Sequence, residues 1–149
     1  AYSDEHGMAA SQFRVATNGE IKWRSLKADL RKGLDYELAI DARLDERAKT
    51  YRRRPRLQAE APGPPKVKFI EGGSSNATVI EVTAVSKVGI LHRITKALSL
   101  VGLDIRHATV QTVGMEVVDT FYVRTRDGGL VTRAAHRKEI QKALLHAVG

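Results

Sequence analysis

With 149 residues, 42% of them hydrophobic, and a formal charge of +8, the chain has room for one or two small domains and enough apolar side chains to bury a core. It contains no cysteine, which excludes a disulfide framework, thiolate chemistry and a cysteine zinc site, and fits the cytosol. No apolar run approaches the ~20 residues that span a bilayer and the start carries no signal-peptide pattern, so no membrane partner is expected.

Residues 1–15 alternate loosely about Gly7-Met8, which reads as a turn between two short strands, and Thr17-Asn18-Gly19 closes that hairpin with residues tolerant of positive φ. From Ser25, a candidate N-cap, Leu26, Leu30 and Leu34 recur at helical spacing, with Gly33 weakening the helix. A second helical stretch over 35–51 puts Leu44, Ala48 and Tyr51 on one side of a charged connector. All four prolines fall between Arg52 and Pro65, together with Arg53, Arg54 and Arg56. Neither a helix nor a central strand tolerates that composition, which places a domain boundary there. Because so much positive charge is concentrated in this stretch, it is a weaker pointer to nucleic acid than a basic face is.

After Pro65 the pattern is regular. Residues 66–70 alternate like an edge strand, Gly72-Gly73-Ser74-Ser75-Asn76 forms a turn, and 78–85 is rich in β-branched residues. Ile90, Leu91, Ile94, Ala97, Leu98 and Val101 then make one apolar stripe of a helix over 89–101, with Gly102 suited to the position just past its end. A hairpin over 104–113 and 116–124 turns at Gly114-Met115, and a last helix starts at Thr132 with Ile140, Ala143, Leu144 and Ala147 at helical spacing. The order is strand, strand, helix, strand, strand, helix. A ferredoxin-like fold ends instead on a strand that lies beside its first. The predicted fold is therefore α+β and ferredoxin-like: a four-stranded antiparallel sheet with two helices on one face, permuted so that the N-terminal hairpin strand at 66–70 replaces the last strand.

Two stretches of the chain also match each other. Gly7-Met8, Phe13-x-Val15 and Asn18-Gly19 are answered by Gly114-Met115, Phe121-x-Val123 and Gly128-Gly129, and Leu30, Lys32 and Leu34 by Ile140, Lys142 and Leu144. So long a period means a pair of domains, not a solenoid. The expected division is 1–51 as the second half of a first repeat plus a connector helix, 52–65 as a basic, proline-rich linker, and 66–149 as a complete second repeat. The start at Ala1, in mid-repeat, reads as a piece of something longer. With its leading strand and helix missing, the first repeat would leave an apolar face and a strand edge unpaired, so dimerisation or disorder of 1–51 is expected.

The turn entering the first helix of the second repeat, Ser86, Lys87, Val88, Gly89, Ile90 and Leu91, is the candidate ligand site. Helix N-termini present unpaired N–H groups that can hold a carboxylate, although an ordinary strand-to-helix turn has the same pattern. A second contact would come from the adjacent strand of a neighbouring repeat, near Arg106 or His107 or at their counterparts missing from the first repeat. His6, His92, His107, His136 and His146 lack metal-ligand spacing; His92 is expected on the polar side of its helix and His107 half-buried on a strand. Asp119, in phase with Val117, Phe121 and Val123, reads as a buried acid bound to a strand or helix-end N–H group and not as a catalytic one. There is no nucleophile elbow, no phosphate-binding loop and no aspartate pair for nucleotidyl transfer, so no catalytic residue is assigned. RNA-binding modules on this scaffold need stacking aromatics on their central strands; 78–85 has none and Tyr122 stands alone, which argues against nucleic acid as a partner.

Ala77-Thr78-Val79-Ile80-Glu81-Val82, Gly89-Ile90-Leu91-His92-Arg93-Ile94, Ala97-Leu98, Gly102-Leu103-Asp104-Ile105 and Val118-Asp119-Thr120-Phe121-Tyr122-Val123 together give residues 77–148 a specific likeness. This stretch resembles an ACT domain, more narrowly the last ACT domain of the PII uridylyltransferase family, and the first repeat resembles the second half of the ACT domain before it. The resemblance implies a glutamine-sensing regulatory region with ACT–ACT pairing or a homodimer. It also implies a cytoplasmic parent enzyme that transfers a nucleotide to the PII signal protein and often removes it, using Mg2+ in catalytic domains outside this chain. No cofactor is expected in this chain itself. An ACT-type amino-acid sensor of another metabolic enzyme carries the same features. Where the family usually has Asp-Arg-Pro-Gly, this chain has Ser86-Lys87-Val88-Gly89. The glycine is kept, but the missing carboxylate cannot salt-bridge a ligand ammonium, which leaves the Ser86 hydroxyl as the acceptor at that position.

Overall fold

Alternation of Val67 and Phe69 with Lys66 and Lys68 makes residues Lys66–Ile70 a strand with one face for the core and one for water. The computed structural model describes residues 2–3, 8–10, 12, 17, 19–52 and 63–149. The predicted turn residue Gly7, the hairpin residues Phe13, Val15 and Asn18, and linker residues 53–62 lie outside the described residues. In chain order the elements are β1 (Tyr2–Ser3), β2 (Ala9–Ala10), α1 (Trp23–Leu34), α2 (Ile40–Arg52), β3 (Lys66–Ile70), β4 (Thr78–Val85), α3 (Ile90–Leu100), β5 (Leu103–Val113), β6 (Glu116–Thr125) and α4 (Ala134–Val148). The chain divides into two units, one made of Ala1–Ser11 with Arg56–Gly149 and the other of Gln12–Pro55.

In the first unit β5, β6, β4 and β3 lie side by side and all pair antiparallel. β4 is central, between β6 and β3, and β3 holds the edge that the closing strand of a ferredoxin-like fold would take. Val67 pairs with Val82 and Phe69 with Ile80, so the permutation expected from the sequence is what the chain adopts. Val67, Ile80, Val82, Ala84, Val117, Phe121 and Val123 project from one face of the sheet and form a single core with Ile90, Ile94 and Leu98 of α3 and Ile140, Leu144 and Val148 of α4. α4 also secures the permuted edge. Gln141 Nε2 donates to the Val67 carbonyl at 3.3 Å, and the Arg137 guanidinium lies 5.2 Å from the Phe69 ring centroid while pairing with Glu71. Its Nε reaches the Val131 carbonyl at 3.0 Å.

β1 and β2 extend this sheet beyond β5 to six strands, Tyr2 pairing with His107 and with Ala10. The sequence match of Gly7-Met8 with Gly114-Met115 aligns β1 with the end of β5, and these two strands pair antiparallel. The strand edge expected to be open is therefore taken by β5, because an unpaired row of N–H and C=O groups is satisfied by the nearest free edge.

In the second unit α1 begins at Trp23, two residues before the expected Ser25 cap, and the cap position falls on Lys22, which makes no side-chain capping bond. The predicted second helix starts at Ile40 instead of residue 35, because Tyr36 takes φ +59 and the Glu37 N–H closes on the Lys32 carbonyl at 2.8 Å. Leu30 and Leu34 of α1 are 62% and 69% exposed, whereas Ile140 and Leu144, which they match in sequence, are fully buried.

Candidate functional site

β4 runs out at Val85, and the next six residues carry the chain into α3. The Ser86 N–H donates to the Met115 carbonyl at 2.8 Å, which ties the turn to the tip of the β5–β6 hairpin. The Ile90 N–H closes on the Lys87 carbonyl at 3.1 Å, and the Arg93 N–H on the Gly89 carbonyl at 3.0 Å begins the helix. Gly89 caps it at φ +80, a left-handed conformation that a side chain would strain. Ile90 is buried in the core and anchors the first turn; Ser86, Val88, Gly89 and Leu91 are half-buried and Lys87 is exposed. The Lys87 ammonium donates to the Gly149 carbonyl at 3.1 Å, bringing the end of α4 against the turn. The six predicted site residues thus form one continuous segment, fixed at both ends by backbone bonds. The first amides of a helix have no intrahelical acceptor, and with the helix dipole they favour a carboxylate.

The open face of the sheet has a different chemistry. His107 and Tyr122, paired across β5 and β6, meet edge to face with ring centroids 5.3 Å apart. The sequence suggests a half-buried His107, but it is exposed. It sits just past an irregularity in the β5–β6 register, between Ile105 and His107, that shifts the strand by one residue. Arg106 is engaged by Asp104 at 3.1 Å. Among the described residues no group of three or more His, Cys, Asp or Glu is placed to hold a metal ion. No helix among them is long and apolar enough to cross a membrane.

Asp119 is the feature whose importance the sequence understates. It is wholly buried on the helix-covered face of β6, opposite Val82 on β4 and Val110 on β5. Its Oδ1 accepts the Gln111 N–H at 3.2 Å, a strand N–H of the kind expected, while its Oδ2 has no hydrogen-bond partner. Burial pushes its carboxyl above the ordinary carboxylate range, and the Gln111 N–H offsets part of that shift. An acid at an in-facing strand position is legible in the sequence; that one of its oxygens lacks a donor is not.

No family model matches the chain, and no solved structure matches it. It is similar to the bifunctional uridylyltransferase/uridylyl-removing enzyme of Streptomyces coelicolor, 43% identical over 103 residues that make up 69% of this chain and 12% of that protein. It is also similar to the enzymes of the same name from Azospirillum brasilense, 36% identical over 85 residues, and Gluconobacter oxydans, 39% identical over 82. Those matches cover 57% and 55% of this chain and 9% of each relative. The chain therefore spans only about a tenth of the length of these relatives.

Proposed function

We infer that this chain, which is homologous to one segment of the bifunctional uridylyltransferase/uridylyl-removing enzymes, is a regulatory region of the ACT type that binds glutamine. The observation that carries the reading is the turn over 86–91. Its ends are fixed by backbone bonds to Met115 and within α3, and its glycine stands in the left-handed conformation at the head of a helix whose next residue is anchored in the core. The Ser86 and Ile90 amides are already bonded, so the other amides of the turn are the donors it offers to an amino-acid carboxylate.

The antiparallel meeting of β1 and β5 supports a pairing of the two repeats. Binding then acts by favouring one placement of paired repeats over another, because a ligand shifts an equilibrium only through unequal affinity for its states. Coupled to catalytic domains elsewhere in a longer protein, that shift would control uridylyl transfer to and removal from a PII-type signal protein in the cytoplasm, with Mg2+ serving those domains.

Calorimetric titration of the chain with glutamine, with other amino acids and with single-stranded RNA tests the reading. Saturable heat with glutamine is expected. Heat with RNA and none with any amino acid overturns it.

A further inference from the structure

Two adjacent residues at the tip of the β5–β6 hairpin hold two separate parts of the chain. The Met115 carbonyl accepts the Ser86 N–H at 2.8 Å, at the start of the candidate ligand turn. The next residue, Glu116, accepts the Gly63 N–H on its Oε1 at 3.0 Å, near the end of the basic, proline-rich linker. A backbone N–H given to a carboxylate makes a charge-assisted bond, stronger than one between neutral groups. Pro64 and Pro65 stiffen the step from Gly63 to β3, since each fixes its φ and neither has an N–H for a competing bond. β3 begins at Lys66, which pairs with Thr83 of β4, while Glu116 pairs with Val85 at the end of β4. The end of the linker therefore passes the last residues of β4 and reaches β6 where β4 gives way to the turn. A displacement of the turn that is carried through the Ser86 bond reaches the residue beside the one that holds Gly63, and the two prolines leave little slack to absorb it.

We propose that Met115 and Glu116 form a relay between the amino-acid site and the linker: a ligand seated on residues 86–91 tightens the hold of Glu116 on Gly63 and so fixes the end of the linker. The relay rests on the regulatory reading above and adds to it the route by which that site acts on the chain ahead of it. Coupling of this kind is reciprocal, so a ligand that strengthens the Gly63 bond is itself held more weakly when the bond is removed. Gly63 lies outside the turn and Glu116 is a positioning residue, acting on the ligand only through the joint.

The experiment titrates the wild-type chain, Glu116→Ala, Glu116→Gln, Gly63→Pro and the double variant Glu116→Ala/Gly63→Pro with glutamine by calorimetry. Alanine removes the acceptor, proline removes the donor, and glutamine at 116 keeps a side-chain carbonyl that accepts. Glu116→Ala and Gly63→Pro are each expected to weaken glutamine binding about five-fold or more. The double variant is expected to bind no more weakly than the weaker of the two, because one bond is lost only once, and Glu116→Gln to bind more tightly than Glu116→Ala. Single variants that bind glutamine as the wild type does, or losses that multiply in the double variant, overturn the relay and leave the regulatory reading standing. A wild-type chain that binds no amino acid overturns both. A second measurement needs no substitution: solvent exchange of the Gly63 amide proton in the wild-type chain, followed by NMR, is expected to slow by about the same factor on saturation with glutamine, and an unchanged rate overturns the relay.

Discussion

Thr78 Oγ1 accepts the Val131 N–H at 2.8 Å, a bond between the first residue of β4 and the loop ahead of α4, and both residues are buried. The loop has no strand partner for that amide, so the hydroxyl satisfies what water cannot reach. Thr78→Val keeps the shape and removes the acceptor, leaving a buried N–H unpaired at a cost of about 1–3 kcal/mol. Thr78→Ser keeps the acceptor and should lose much less. Urea denaturation midpoints of the two variants, compared at an unchanged slope, check the difference.

The contrast between strands and caps shows what the sequence could and could not say. β3 and β4 are legible to the residue because period-two alternation and β-branched side chains mark both ends of each strand. Even the permutation follows, since the β3 segment alternates like an edge strand and a short turn joins it to β4. Helix starts are less legible. Ser25 is a good cap by type, but the Trp23 N–H bonds to the Ile21 carbonyl and the Leu26 N–H to the Lys22 carbonyl, so the helix is already under way at Ser25. Neither glycine nor proline announces the break at Tyr36, where a tyrosine takes positive φ. At the candidate site the glycine and the apolar anchor of Ile90 could be read from spacing. The half-satisfied state of Asp119 could not, because it depends on what the two strands beside β6 fail to donate.

Gly89 and Gly102 flank α3 with similar positive φ, +80 and +77. Replacing either with alanine forces a side chain into the left-handed region at a cost of about 1–2 kcal/mol. The two variants should therefore lose comparable stability in chemical denaturation. Only Gly89→Ala should also weaken glutamine binding, because only Gly89 lies in the turn proposed as the ligand site. Equal loss of affinity in both would trace the effect to α3 as a whole and not to the turn.

Asp119 also makes stability depend on pH in a direction opposite to that of a salt-bridged acid. Its folded carboxyl titrates above the ordinary value of 3.8, because burial disfavours the charged form. The folded state is thus favoured through this group below the unfolded value, and that advantage is lost as pH rises through the folded value, above which a charge must be held in the core. The carboxamide introduced by Asp119→Asn carries no such charge. The stability of wild type relative to that variant should therefore be greatest in acid and fall as pH rises from about 3 towards 7. Urea melts of both proteins across that range measure the slope; a wild-type advantage that grows with pH would contradict the shift.

Leu34 and Leu144 stand at matching positions of the two similar stretches of sequence, yet Leu34 is 69% exposed and Leu144 is fully buried on the core side of α4. Burial, not residue type, sets what each contributes. Leu144→Ala removes packed methyl groups and leaves a cavity in the core it shares with Ile80, Ile94 and Phe121, which costs about 2–5 kcal/mol. Leu34→Ala removes surface already in contact with water and should change stability by no more than ~0.5 kcal/mol. Thermal or urea denaturation of the two variants at low protein concentration checks the pair. If Leu34→Ala becomes costly only as concentration rises, the α1 stripe of Leu26, Leu30 and Leu34 is being covered by another copy of the chain, since a contact between molecules is strengthened by mass action and one within a molecule is not.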